Sequence, residues 1–121
     1  MSTFDHGGLI HDINESIVPF RKAQPEAMAA FGQLAKAAMA EGVVSARQKE
    51  LTALAIGVTQ NCSGCIGFHV KALVRLGATR AELEEILAVC VYMGGGPALM
   101  YAADALRAYD QFASPAKSDD I

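Results

Sequence analysis

The sequence has no basic cluster, no stretch of sustained apolar and polar alternation, and too few cysteines for a disulfide framework. Ten Lys and Arg stand against 13 Asp and Glu, a net charge of −3, and the basic residues are scattered from Arg21 to Lys117. Nucleic-acid binding needs a concentrated basic face, so nucleic acid is not expected as a partner. The opening residues MSTFDHGGLIHDINE lack a basic n-region and an unbroken apolar h-region. No secretory leader is therefore expected, and the chain reads as cytoplasmic. Ile86 to Ala103 carries no charge, but Gly94-Gly95-Gly96-Pro97 interrupts it, which argues for two buried helices rather than a membrane span.

A chain of 121 residues with 52% hydrophobic content can bury a core as one domain without a disulfide staple. Helix punctuation dominates, and the absence of β-type patterning makes the fold class all-α, with about six helices. A flexible start is expected over residues 1–8, one helical domain over 9–113 and a polar tail over 114–121. The first helix should cover Leu9 to Phe20, limited or kinked by Pro19, and the second should open at Pro25 and end at Gly42. Ser45 with Gln48 reads as a capping box for a helix carrying Leu51, Leu54, Ala55 and Val58 on one side and ending near Asn61. Another helix starts around Cys62 or Ser63, buries Ile66, Leu73 and Leu76, and stops at Gly77. Thr79 with Glu82 caps a helix containing Leu83, Ile86, Leu87 and Cys90, which the glycine triplet ends. Pro97 opens the last helix, with Tyr101, Ala105, Leu106, Tyr109 and Phe112 as its apolar stripe.

Three cysteines are an odd number, and two of them are three positions apart, a pattern that favours redox or metal chemistry over a structural framework. Cys62 and Cys65 stand at i and i+3, and His69 follows Cys65 by four, so one helix presents all three on one side. A helix start supplies partial positive charge that favours a thiolate, and Cys62 stands nearest to it. His69, one turn beyond Cys65, can exchange a proton with it. If the helices on either side of Asn61 fold back antiparallel, Glu50 lies ~15 Å and His69 ~12 Å from the turn, nearly level. Cys65 lies only about 6 Å from it, so Glu50 should reach the thiol through His69 or a water.

Each residue alone has a plainer explanation: small buried thiols, a satisfied core histidine, a solvated carboxylate. Their joint occurrence at compatible levels favours a site. Two Cys, a His and a Glu are acceptable zinc ligands, but i, i+3, i+7 on one helix closes a tetrahedron poorly and no second cysteine pair exists, so no metal is expected. Covalent haem is excluded because Ile66, not His, follows Cys65. Cys90 reads as an inert core thiol. The glycine triplet with Pro97 could present N–H groups to an anion, but close helix packing accounts for it. His6 and His11 stand in or beside the flexible start and are expected to do no chemistry.

Glu50 followed twelve positions later by Cys62-Ser63-Gly64-Cys65-Ile66-Gly67-Phe68-His69 resembles the signature of the alkylhydroperoxidase D-like proteins of the carboxymuconolactone decarboxylase superfamily. The likeness runs from about Ala30 to Phe112, through the Gly77 stop and the Gly94-to-Tyr101 segment. It implies an all-helical domain assembling as a homo-trimer or homo-hexamer. It implies that Cys65 attacks peroxide, Cys62 resolves the product as a disulfide, and Glu50 acts as base through His69. An external dithiol, such as a lipoyl group or a thioredoxin-like protein, then restores the pair, and no cofactor is bound. The chain departs from the best-known peroxidases at Gly64, where they carry a second His.

The expectation is therefore a dithiol antioxidant enzyme reducing peroxides or disulfides. The alternatives are an oligomeric redox sensor or adaptor without turnover and, more remotely, a lactone decarboxylase.

Overall fold

The computed structural model describes residues 4–114. Five helices follow one another, α1 (His6–Ala23), α2 (Pro25–Met39), α3 (Ala46–Thr59), α4 (Ser63–Arg75) and α5 (Arg80–Ala113), and no strand occurs among the described residues. The sixth expected helix is the second half of α5. Gly95 breaks that helix with φ 72° and ψ −151°, a conformation that is essentially glycine's alone. Thirty residues of straight helix would separate Arg80 from Asp110 by ~45 Å. Instead Arg80 donates to both carboxylate oxygens of Asp110, at 3.0 and 3.2 Å. The Tyr109 hydroxyl likewise donates to the Ala78 carbonyl at 3.0 Å. By length and composition α5 could cross a membrane, but it is folded back on itself and packs Leu83, Leu87, Cys90, Ala98, Ala105 and Phe112 into the core.

That core is built where α3, α4 and the two halves of α5 meet. Leu54, Val58, Ile66, Val70, Leu73 and Leu83 are fully buried, and each such side chain contributes about 1.5–3 kcal/mol. Leu76, expected among them, is 45% exposed because α4 has already ended at its C-cap.

Both turns flanking α4 use one device. After α3, Asn61 adopts φ 58°, its N–H donates to the Val58 carbonyl at 3.2 Å, and the Cys62 N–H donates to Gly57 at 2.9 Å. After α4, Gly77 adopts φ 80°, its N–H donates to Val74 at 3.1 Å, and the Ala78 N–H donates to Leu73 at 3.0 Å. These paired bonds satisfy carbonyls that a helix end otherwise leaves open. Thr79 and Glu82 then form the full expected capping box of α5. Ser45 supplies one half of its box, accepting from the Gln48 N–H at 3.1 Å.

The N-terminal segment differs from the expected flexible start. Asp5 caps α1 by accepting from Gly7, and His6 is fully buried. His6 Nε2 lies 2.9 Å from Asp104 Oδ1, and Gln111 both accepts from the His6 N–H and donates to the Phe4 carbonyl. Arg107 reaches the same Asp104 oxygen at 3.1 Å and stacks over Phe4. These bonds hold residues 4–8 against α5, so α1 begins three residues earlier than Leu9. It also continues past Pro19 to Ala23. Of the expected tail, residues 115–121 lie outside the described ones.

Two outcomes follow from this architecture. Glu82 is held below the usual carboxylate range, first by the bond from the Thr79 N–H and further by Arg47. A carboxylate favoured in the folded state stabilises above its ordinary titration range, and that contribution is lost as pH falls through the lowered range. Glu82→Gln keeps an acceptor for Thr79 but removes the titration, so its stability should fall less than the wild type's between about pH 6 and pH 3 in denaturant titrations. Burial pushes the Cys90 thiol up, and its sulfur points at the Ala55 carbonyl, 3.8 Å away. In the reduced native protein iodoacetamide should therefore label Cys62 and Cys65 and spare Cys90, which becomes reactive only on unfolding, as peptide mapping would show.

Candidate dithiol site

Cys62 and Cys65 are joined in a disulfide, with Cα atoms 5.2 Å apart. Cys62 stands at the N-cap of α4, and its sulfur accepts from the Cys65 backbone N–H at 3.1 Å. The same residue's N–H closes α3 on Gly57, so a single residue ends one helix and starts the next. Both cysteines are half-buried, on a helix whose Ile66, Gly67 and Val70 are buried.

The hairpin brings Glu50 of α3 level with His69 of α4, as the helical rise requires. Glu50 Oε1 lies 2.7 Å from His69 Nδ1, with the side chains 17% and 31% exposed. A carboxylate on Nδ1 leaves Nε2 as the nitrogen that exchanges a proton with the surroundings. All four residues singled out by spacing thus lie on the α3–α4 hairpin. No group of three or more His, Cys, Asp or Glu among the described residues has a metal-holding arrangement.

Several residues that shape the site carry no motif. Gly57 sits where an added Cβ would stand 3.0 Å from the Cβ of Cys65. The one sequence signal was a glycine inside a helix, which marks a close approach. Gly64 and Gly67 do the same towards α1: a Cβ at Gly64 would meet Ile13 Cδ1 at 2.9 Å, and one at Gly67 would meet Ile10 and His6. Asp12, Ile13, Ser16, Ile17 and Phe20 of α1 line a shallow open groove.

Comparison with known proteins agrees with this architecture. An uncharacterised protein from Cupriavidus necator is 43% identical over 99 residues, spanning 82% of this chain and 88% of its own. An uncharacterised protein of the cox locus of Paracoccus denitrificans is 37% identical over 82 residues, spanning 68% and 74%. The crystal structure of an apo carboxymuconolactone decarboxylase family protein from Legionella pneumophila superposes with a TM-score of 0.88 at 49% identity, covering 90% of this chain and 97% of that one. Residues 25–108, from the first residue of α2 to the last turns of α5, match the carboxymuconolactone decarboxylase family. With the Cys62–Cys65 pair on its helical hairpin, the chain belongs to that family as an alkylhydroperoxidase D-like member.

Proposed function

We propose that the protein is a dithiol oxidoreductase that reduces peroxides or disulfides at Cys62 and Cys65. The observation that carries this reading is the Glu50–His69 pair, 2.7 Å apart on the two helices that meet at the cysteines. His69 takes the proton of Cys65, whose sulfur attacks one peroxide oxygen: an S–O bond forms, the O–O bond breaks, and the departing alkoxide takes the proton back from His69. Cys62 then attacks the sulfenic sulfur, an S–S bond forms, and water leaves. One peroxide and two thiols become an alcohol, water and the disulfide. An external dithiol of lipoyl or thioredoxin-like type closes the cycle, and no bound cofactor is needed. Glu50 is a positioning residue that holds the imidazole of His69.

The test is dithiol-dependent consumption of an organic hydroperoxide. Cys65→Ser should abolish it. Glu50→Gln should lower kcat by about 10²-fold while leaving KM, the melting temperature and disulfide formation by diamide unchanged. A Cys65→Ser rate equal to the wild type's overturns the assignment. A reversible disulfide without turnover identifies the redox sensor or adaptor instead.

The surface supports a homo-oligomer. No residue of α2 is buried, and Phe31 and Leu34 are 66% and 64% exposed. On α5, Tyr92 and Met93 are 84% and 73% exposed. Apolar exposure on this scale is characteristic of association surfaces. Sedimentation should give the mass of three or six 12.7 kDa chains, and Leu34→Glu should shift it towards the monomer.

A further inference from the structure

Cys62 serves above only as the resolving thiol, yet its sulfur has the most directed surroundings of the pair. Its backbone N–H is committed to the Gly57 carbonyl at 2.9 Å, and its Sγ accepts from the Cys65 N–H at 3.1 Å. The sulfur is therefore positioned by the end of α3 and occupied by the start of α4. The N–H it accepts has no partner inside the helix. Such a bond becomes roughly twice as strong when the acceptor is charged. A sulfur left negative at this position also faces the positive end of the α4 dipole. Cys65 lies one turn in, with its Cβ pressed towards Gly57, and has His69 one turn further on as its proton partner.

We propose that Cys62 is the standing thiolate of the reduced site and the leaving group when the disulfide is opened, so that the incoming reductant bonds to Cys65. This rests on the dithiol reading above and gives the exchange with the external dithiol a direction. A donor thiolate attacks Cys65 Sγ, the Cys62–Cys65 bond breaks, and its electron pair stays on Cys62, held by the Cys65 N–H. The donor's second thiolate then attacks the donor sulfur of the mixed disulfide. The donor leaves as its own disulfide, and Cys65 departs as a thiolate that takes a proton from His69. Two donor thiols become one disulfide, the protein disulfide becomes one thiol and one thiolate, and one proton goes to solvent. The better-stabilised thiolate leaves faster, which sets the choice of sulfur.

The experiment starts from protein oxidised with diamide, so it does not depend on peroxide turnover. Limiting glutathione is added, the mixture is quenched with iodoacetamide, and peptides are mapped. The expected map has glutathione on Cys65 and carbamidomethyl on Cys62, in about tenfold excess over the reverse. Glutathione mainly on Cys62, or shared evenly, overturns the proposal. A second measurement follows thiolate absorbance against pH in Cys65→Ser and Cys62→Ser, serine being an N-cap that keeps α4 in place. Cys62 should ionise about one pH unit or more below Cys65, and the opposite order overturns the proposal. If peroxide consumption fails while the map is as expected, the peroxidase reading falls and the directed exchange stands.

Discussion

One residue closes α3 and opens α4, and the site depends on that economy. At the other end of α4 the two tasks are divided: Ala78 donates back to Leu73, and Thr79 caps α5. At the dithiol end Cys62 does both, through its N–H and its sulfur. The turn is therefore one residue tighter. It is made possible by Asn61, one of the few non-glycine residues that tolerates a positive φ, here 58°. Here α4 runs back alongside α3, which places Glu50 and His69 within hydrogen-bond distance. The placement of the cysteine pair and of the Glu50–His69 pair thus follows from a single turn.

Glycines set how closely the neighbours approach that turn. Gly57 lets α3 come up against Cys65, and Gly64 and Gly67 let α1 lie across the motif helix. This changes the meaning of Gly64. Its lack of a side chain does more than omit a histidine carried by the best-known peroxidases, because a Cβ here would stand 2.9 Å from Ile13 Cδ1. Because Cδ1 is the free end of the Ile13 side chain, a rotation of that side chain would have to accompany any larger residue at position 64. Ile13 of α1 thus fills the space beside position 64, where the best-known peroxidases carry a histidine.

What was legible in the sequence was whatever depends on local spacing. The relative heights of Glu50 and His69 need only the helical rise and an antiparallel turn. The Thr79–Glu82 box and the break near Gly95 are written within a few residues of where they act. His6 was illegible because its partner Asp104 is 98 positions away, and a polar N-terminal stretch looks the same whether it is tied down or loose. Leu76 was misplaced because periodicity continues past the point where the αL turn at Gly77 ends the helix. The exposure of α2 was hidden for a different reason. Its Ala- and Met-rich pattern is that of a buried face, and a burial pattern does not say whether the covering surface comes from the same chain.

The cysteine pair is also kept apart from what holds the domain together. Fully buried Leu54, Val58, Ile66 and Val70 flank the turn on both helices, and the bonds that close α3 are backbone to backbone. The sulfur cap on α4 requires an acceptor at Cys62 and not a disulfide, and a thiolate accepts at least as well. Opening the disulfide therefore removes no helix end, exposes no core side chain and leaves the Glu50–His69 pair on rigid supports. A covalent link that carries so little of the fold can be made and broken repeatedly without unfolding, which is the structural condition for a redox pair that cycles.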